Sequence, residues 1–368
     1  MMKVCWAGTF EPSFERNKRL REYLEAADID HREVRLSLWP KDRVRAFSEA
    51  RLKVMLRMLV VYPVLVAKLM AAPRPDLYLV SYPGWFDVPF VKLVAFFKRR
   101  PIVFDIFISL YDTAIDDRGL AAHGSSIARL ARTVDRMSMR LAQRVIADCP
   151  AHARFHADLA GLPLDRFGVL YLGADESVFR PIEGMDVDND LILFYGTFVP
   201  LQGVEWIIGA AAELKASRFR FRLIGSGQEK EAALQFAEAL DASNIEFVDF
   251  LPQPDLVREL AGAALCLGIF GTSDKADRVI PHKVFEAMAC GRPVLTGSTS
   301  AVTDVVRGEI AVCPTGDAAA LVEAIRTLME DESLRNSLGL AGRTRFARDF
   351  SLVAQGKRLR DELEQARG

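Results

Sequence analysis

Short hydrophobic runs alternate with amphipathic segments along almost the whole chain. Twelve of these runs have the length and the aliphatic content of buried strands, and they form two groups of six. The first group is 4–8, 32–36, 76–80, 101–107, 144–148 and 168–173, and the second is 191–196, 219–225, 245–250, 264–270, 292–297 and 310–313. Helical patterns fill the intervals. This alternation predicts an α/β fold with two parallel sheets that carry helices on both faces.

A polar, acidic stretch that contains Pro and Gly, residues 180–190, separates the two groups and has the composition of a linker. We therefore predict two Rossmann-like domains, with the first ending at residue 180. Ligands of open parallel sheets bind outside the carboxyl ends of the strands. The two sheets are accordingly expected to face each other across a ligand-binding cleft.

Composition narrows the function classes. The chain has 368 residues, half of them hydrophobic, and a net charge of −1, which gives no indication of nucleic-acid binding. Five cysteines and five histidines are scattered without ligand spacing, so we predict no metal site and reduced cysteines in a cytoplasmic protein. The chain begins with a strand-like run, so no signal peptide is expected.

Charge is unevenly distributed. Residues 41–100 contain 12 Lys or Arg against 4 Asp or Glu, and the apolar segment 54–72 lies inside this window. Arg57, Pro63 and Lys68 interrupt that segment, so it is a poor transmembrane span. Two interpretations remain open. The segment is either a long core helix, kinked near Pro63, or a helix that brings the region 43–70 to an anionic membrane surface.

The segment PHKVFEAMACGRPVL, residues 281–295, predicts a helix followed at once by a buried strand. Pro281 suits the first turn, and Gly291 suits the left-handed end. Lys283 and Glu286 share one face near the helix start, where free N–H groups and the dipole favour an anion. A cation beside a carboxylate that accepts from a diol suits a sugar nucleotide. The alternative is an ordinary crossover helix.

Three glycine-containing loops follow predicted strands. Gly8 and Thr9 follow the first strand, Gly196 ends the first strand of the second domain, and Gly225 and Gly227 form a G-S-G loop after the next one. Gly allows close backbone approach to a ligand. For the loop of Gly8 and Thr9, the alternative is a plain strand-to-helix loop. The dinucleotide fingerprint G-x-G-x-x-G is absent after the first strand, which disfavours a nicotinamide dehydrogenase.

The ordered set YGTFVPLQGVEWI, LIGSGQ, VDFLPQPDLVREL and PHKVFEAMACGRPVL resembles the nucleotide-binding domain of family 4 glycosyltransferases, which have the GT-B fold. In the first half, RVIADCPAHARFH and YLGADESVFRP are also similar to family segments. The resemblance implies an acceptor-binding domain at 1–180 and a donor-binding domain at 181–345. It also implies a final helix, 346–368, that crosses back onto the first domain. The alternative for this helix is a cap on the second domain.

The same resemblance implies retaining, metal-independent transfer of a sugar from a nucleotide donor without a cofactor. It gives Glu286 the donor ribose and Lys283 the diphosphate. The chain departs from many members at three positions: Arg278 replaces the first of two glutamates, and Thr197 and Gln202 replace an Arg and a Lys. The phosphate charge is then left to Lys283, Arg278 and the amides near Gly225 and Gly227. Backbone atoms around Leu251 are expected to contact the base.

In the first domain, many family members place a His near the reacting sugar, and here Asp105 falls near that position, with Asp112 in the following loop. A carboxylate there would stabilise positive charge at the anomeric carbon or orient the acceptor hydroxyl. For Asp105 the alternative is a cap or loop hydrogen bond. Arg16, near the start of the next helix, has two interpretations: a contact with an anion, or a solvated arginine, which is the one we expect.

We therefore expect a glycosyltransferase of the bacterial surface-polysaccharide subgroup that reads Pro-x-Lys-x-Phe-Glu. Its donor would be a UDP- or GDP-sugar, and its acceptor a glycan or lipid-linked glycan at the inner face of the membrane. Two alternatives are an epimerase or hydrolase on the same fold and a non-catalytic subunit that binds nucleotide sugars.

Overall fold

The computed structural model of the protein describes residues 2–38, 51–117 and 121–367. The chain divides into two compact units, each built on a parallel sheet. Unit 1 comprises Met1–Tyr171 and Gln355–Gly368, and unit 2 comprises Leu172–Ala354. The first division therefore lies before the predicted linker.

Unit 1 contains six parallel strands in the order β2-β1-β3-β4-β5-β6. The strands are β1 Lys3–Gly8, β2 Asp30–Arg35, β3 Leu77–Val80, β4 Ile102–Asp105, β5 Arg144–Ala147 and β6 Phe167–Val169. The helices are α1 Glu15–Ala26, α2 Arg51–Ala71, α3 Asp87–Lys98, α4 Ser126–Leu141 and α5 Pro150–Ala160, with a π-helical segment at Asp112–Asp117 and a 3-10 turn at Leu164–Arg166. All six strands predicted for this half are present.

Unit 2 contains six parallel strands in the order β12-β11-β10-β7-β8-β9. The strands are β7 Asp188–Tyr195, β8 Arg220–Ile224, β9 Ile245–Val248, β10 Ala263–Leu267, β11 Val294–Gly297 and β12 Ala311–Cys313. The helices are α6 Val204–Glu213, α7 Lys230–Ala239, α8 Gln253–Gly262, α9 Asp274–Asp277, α10 His282–Ala289, α11 Ser300–Val305, α12 Ala318–Glu330 and α13 Glu332–Asp349, with a 3-10 turn at Pro200–Gln202. The order reverses between β7 and β10, so the switch point of this sheet, where α/β folds bind ligands, lies between their carboxyl ends.

The final helix, α14 Leu352–Arg367, lies largely in unit 1. Its Gln355 accepts a hydrogen bond from the Tyr171 N–H at 2.9 Å, and its Glu362 pairs with Arg144 at 2.5 Å. Leu359 and Leu363 are fully buried. The last helix is therefore an integral part of unit 1, although it follows unit 2 in the chain.

Helix α2 lies along the sheet of unit 1 and buries Tyr62, Leu65 and Leu69 in the core of that unit. The opposite face of α2 is exposed. Residues 43–50 of the predicted membrane-contact region fall outside the described residues. Across the parts of the chain that the structure describes, none of the helices combines the length and apolarity needed to cross a membrane.

Candidate functional site

Helix α10 ends as its sequence predicts, and it begins just after Pro281, which the sequence placed in the first turn. Pro281 is the N-cap residue, the helix covers His282–Ala289, and Gly291 takes a left-handed φ of 69°. The helix buries Val284, Phe285 and Met288 against unit 2. Its first turn is close to the switch point of the sheet, because Lys283 in this turn contacts Gln202 and adjoins Gly196, both in the loop after β7.

Lys283 extends from the first turn of α10 toward the loop after β7 and is 6% exposed. Its Nζ donates a hydrogen bond to Gln202 Oε1 at 2.6 Å and lies 3.7 Å from the centre of the Phe194 ring. Burial lowers the pKa of the Lys283 amine well below its ordinary value, while the neighbouring Glu286 carboxylate opposes this shift. A bound anion would stabilise the charged form of this buried amine, because it replaces the favourable interaction with water that burial removes.

Glu286 lies one turn further along the same face of α10. Its Oε2 accepts a hydrogen bond from the Tyr195 hydroxyl at 2.6 Å, and its Oε1 lies 3.9 Å from His282 Nδ1. Burial, and then the Glu286 charge, raise the pKa of Tyr195 well above its ordinary value, so Tyr195 remains a donor. The tyrosine therefore fixes the carboxylate whose other oxygen is directed to His282.

The glycine loops after β7 and β8 pack directly against each other. A side chain at Gly225 would approach the Gly196 carbonyl oxygen to 1.9 Å, and one at Gly227 would approach the Phe198 carbonyl oxygen to 2.5 Å. A side chain at Gly196 would meet Lys283 Nζ at 3.0 Å. Gly196 and Gly225 also have φ values of 153° and 140°, which side-chain-bearing residues rarely adopt. These glycines bring backbone beside the Lys283 amine.

A second amine, which the sequence reasoning missed, adjoins the same loops. Lys230, the first residue of α7, donates to the Gly225 carbonyl at 3.1 Å. Its Nζ lies 4.7 Å from the Phe198 ring centre and 4.9 Å from that of Phe247. Burial lowers the pKa of this amine, and Asp249 opposes the shift. Nothing in the segment QEKEAAL distinguishes this lysine from a solvated one, because only the fold brings Phe198 and Phe247 beneath it.

The other predicted donor residues of unit 2 have simpler surroundings. Thr197 is exposed in the loop after β7, and Leu251 is half-buried in the loop after β9. Arg278 follows α9 and lines a cavity of about 330 Å³ together with Asp277, Ser273 and Thr299. A hydroxyl-rich cavity of this size could accept polar groups of a sugar.

Gly8 and Thr9 of unit 1 contact a buried carboxylate. Asp87, the first residue of α3, accepts the Thr9 N–H at 2.7 Å and the Thr9 hydroxyl at 2.9 Å. A side chain at Gly8 would come within 2.4 Å of Asp87 Oδ2. Burial raises the pKa of Asp87 to about 6, although its hydrogen bonds oppose this. Thr9 is 2% exposed, so its hydroxyl is bonded to Asp87 rather than to solvent.

Asp105 and Arg16 form a fully buried ion pair, and both side chains have zero exposure. The ion pair is bidentate: Arg16 Nη2 donates to Asp105 Oδ1 at 2.8 Å, and Arg16 Nε donates to Asp105 Oδ2 at 2.9 Å. The remaining nitrogen, Nη1, donates to the Leu170 carbonyl at 2.7 Å. The expectation of a solvated Arg16 is therefore wrong, because β4 and the end of β6 provide its partners. The predicted catalytic role of Asp105 stays a prediction, since its carboxylate is enclosed here.

Asp112 is 2% exposed and opens the π-helical segment, with its N–H donating to Ser109 Oγ at 2.8 Å. Asp135 of α4 fixes the two residues before this segment. Its carboxylate accepts hydrogen bonds from the N–H groups of Leu110 and Tyr111 at 2.9 and 2.8 Å. Burial raises the pKa of Asp135 to about 7, while the two N–H groups oppose the shift. Sequence reasoning missed this contact, because Asp135 lies in a helix far from the loop in the chain.

Three potential metal ligands do meet in unit 1, although the sequence spacing indicates none. Suitable atoms of Asp148, Cys149 and His152 lie within 4.8 Å of one another. Asp148 Oδ1 and His152 Nδ1 are hydrogen-bonded at 2.5 Å, and Cys149 Sγ accepts the His152 N–H at 3.4 Å as the helix cap. Burial raises the pKa of the Cys149 thiol, which disfavours the thiolate that metals require. We therefore interpret this group as the hydrogen-bonded start of α5.

Residues 175–345 match the family model "Glycosyl transferases group 1". A D-inositol 3-phosphate glycosyltransferase of Acidothermus cellulolyticus is 31% identical in an alignment of 219 positions that covers 54% of this chain and 48% of that protein. A GDP-mannose-dependent monoacylated alpha-(1-6)-phosphatidylinositol monomannoside mannosyltransferase of Corynebacterium glutamicum is 25% identical, over 58% of this chain and 57% of that protein. The chain thus spans about half the length of the curated relatives it matches.

Solved structures resemble the whole chain at low identity. Sucrose-phosphate synthase from Thermosynechococcus elongatus superposes with a TM-score of 0.71 at 17% identity and covers 99% of both chains. HepE of Anabaena, in complex with UDP and glucose, superposes with a TM-score of 0.68 at 17% identity, over 99% of this chain and 100% of that one. The predicted fold class is confirmed: the chain shares the GT-B fold of these structures, and residues 175–345 match the model of a glycosyl transferases group 1 domain.

Proposed function

We propose that the protein is a retaining, metal-independent glycosyltransferase that moves a sugar from a UDP- or GDP-type donor to a glycan or lipid-linked acceptor. The observation that carries this proposal is the shared face of Lys283 and Glu286, close to the switch point of the sheet in unit 2. Their chemistry fits a nucleoside diphosphate, whose two ends are an anion and a vicinal diol.

Lys283 would bind the diphosphate. The diphosphate gains negative charge as it leaves the sugar, so a nearby buried cation stabilises the transition state more than the ground state. Lys230 would supply the second cation, because both amines adjoin the loops of Gly196 and Gly225. This accounts for the uncharged Thr197 and Gln202 at positions where many family members carry Arg and Lys.

Glu286 would accept hydrogen bonds from the donor ribose, and Tyr195 would hold it in position. Arg278 and its cavity would contact the sugar or the phosphates, and the region around Leu251 the base. The complexes of the neighbour HepE with UDP and with UDP-glucose support a nucleotide-sugar donor for this chain. The names of the curated relatives support an acceptor that carries free hydroxyls beside a phosphate.

The acceptor would belong to bacterial surface-polysaccharide assembly, in keeping with the Pro-x-Lys-x-Phe-Glu pattern at Pro281–Glu286. The protein would then work in the cytoplasm or at the inner face of the membrane, where nucleotide sugars are available.

The test begins with a thermal-shift panel of UDP, GDP, ADP and dTDP, in which the nucleotide that binds best raises Tm most. With the matching donor, Lys283→Ala should raise KM and lower kcat, together about a thousandfold in kcat/KM. Lys230→Ala should cost about tenfold. Lys215→Ala, on the surface of the same unit, is the matched control. Near-wild-type kinetics for Lys283→Ala would contradict the assignment.

A further inference from the structure

Three helices of unit 1 share an exposed apolar surface, which we call the α2–α4 face. Helices α2, α3 and α4 pack side by side and bury their inner stripes in one common core. Their outer sides leave large apolar side chains in solvent. The most exposed are Leu59 and Phe96 at 72%, Val60 at 66%, Phe97 and Leu130 at 64%, and Leu93 at 50%. Grouped exposure of this kind marks an interaction site rather than ordinary surface.

The exposed charges on the three helices of the α2–α4 face have one sign. Exposed basic residues border the apolar side chains on every helix and on the turns that follow α2 and α3: Arg57, Lys68, Arg74, Arg99, Arg129 and Arg132. The acidic residues of the three helices are Asp87 and Asp135, and both are buried. The face is therefore basic and apolar together.

The two kinds of side chain are interleaved. On α2, Arg57, Val60, Val64 and Lys68 fall at positions i, i+3, i+7 and i+11, which is one stripe of a helix. On α3, Leu93, Phe96 and Phe97 occupy the outer side, and Arg99 follows at its end. Stacking of Tyr62 on Phe90, with ring centres 4.0 Å apart, joins α2 to α3. Apolar groups can thus enter a hydrocarbon layer while the cations remain at the level of phosphates.

We propose that the α2–α4 face docks on a lipid bilayer that contains anionic phospholipids. The charge distribution selects this occupant. A second copy of the chain, seated face to face, would oppose basic residues with basic residues, whereas an anionic bilayer complements all of them. The helices would lie in the interface, because the inner side of α2 is occupied by the protein core. This inference extends the described part of the predicted region, residues 56–70, to α3 and α4. It deepens the proposed function, on which its link to a lipid-linked acceptor rests.

Flotation of the 368-residue protein with vesicles tests the proposal without any turnover. The vesicles contain phosphatidylcholine alone or phosphatidylcholine mixed with phosphatidylglycerol. The wild-type protein should bind the anionic vesicles and be released by salt.

Leu59→Ser should lower the partition coefficient about tenfold. Leu340→Ser, a change at a leucine of equal exposure (71%) in unit 2, should leave it unchanged. Arg57→Gln with Lys68→Gln should lower it about fivefold per charge, the equivalent of about 1 kcal/mol each.

Several results would overturn the docking proposal. These are equal binding to both kinds of vesicle, equal losses for Leu59→Ser and Leu340→Ser, or no flotation at low salt. Concentration-dependent dimerisation that Leu59→Ser abolishes, without flotation, would assign the face to a second copy instead. Failure here leaves the donor chemistry intact, because Lys283→Ala is assayed with soluble donor. Conversely, near-wild-type kinetics for Lys283→Ala would contradict the donor assignment without bearing on vesicle binding.

Discussion

The buried amine of Lys283 couples donor binding to protons. Its pKa is lowered by burial, so part of the population is neutral in the free protein once the pH reaches that lowered value. A bound diphosphate favours the charged form and raises the pKa again. Binding should therefore take up protons, and affinity should fall as the pH rises through the pKa of the free protein. Calorimetry in buffers of different ionisation enthalpy measures this uptake directly.

The matched variant is Lys283→Met, which keeps the volume and removes the charge. Because the folded state binds the lysine proton less tightly than the unfolded chain does, the lysine destabilises the fold below its unfolded pKa. The variant should gain about 1 kcal/mol in urea unfolding at neutral pH and show no linked proton uptake. Uptake that persists in Lys283→Met would assign it to another group.

Tyr195 is expected to act as a positioning residue for Glu286. Tyr195→Phe removes the 2.6 Å hydrogen bond and leaves the ring in place. Donor KM should rise about tenfold while kcat changes less, because the ribose contact is made in both the ground and the transition state. Tyr78→Phe is the control, since its buried hydroxyl has no hydrogen-bond partner among the described residues. Equal effects of the two changes would argue against the positioning role.

At this scale the sequence indicates the chemistry of a residue better than its surroundings. The spacing of Lys283 and Glu286 on a helix was enough to predict their shared face. Tyr195 and Lys230 could not be found, because Glu286 beside Tyr195 and the Phe198 and Phe247 rings beside Lys230 are distant in the chain. Arg16 shows the same limit, since nothing in its own segment predicts a fully buried ion pair with Asp105.

At the scale of elements, the hydrophobic pattern was sufficient for all twelve strands, because parallel strands buried on both faces give continuous apolar runs. Helix α2 was harder to interpret. Its sequence left a core helix and a surface helix as alternatives, and the structure combines them: one stripe is core and the other is exposed. A segment that is apolar almost all round does not reveal which side the sheet will cover.

The link between α4 and the π-helical segment yields a prediction for an element. Asp135→Ala leaves the N–H groups of Leu110 and Tyr111 without their acceptor, at a cost of about 3 kcal/mol. Hydrogen exchange at these two amides should accelerate more than exchange in the sheet. Asp158→Ala, at an exposed site on α5, should change neither. Unaltered exchange at residues 110 and 111 would show that the segment does not depend on Asp135.

At the scale of the whole molecule, the two units differ in strand order. The sheet of unit 2 reverses between β7 and β10, with three strands on each side, whereas the sheet of unit 1 reverses between β1 and β3 with two strands on one side and four on the other. The predicted alternation of strands and helices is the same for both orders, so topology could not be derived from it. The order determines which loops adjoin each other, and hence that Gly196 meets Lys283.

The final helix makes the stability of unit 1 depend on the end of the chain. Deleting residues 352–368 removes the buried Leu359 and Leu363, the Glu362–Arg144 pair and the acceptor for the Tyr171 N–H. Two buried leucines alone stabilise the fold by about 3–6 kcal/mol, so unit 1 should melt at a much lower temperature. Unit 2 keeps its core and the surroundings of Lys283. In calorimetry with the nucleotide selected by the panel, the truncated protein should therefore retain one unfolding transition whose temperature the ligand raises.

Val353→Ser, an exposed change in the same helix, should leave both units intact. If truncation instead abolished the ligand-sensitive transition and spared the other, the helix would stabilise unit 2, and its contacts with Tyr171 and Arg144 would be of minor energetic importance.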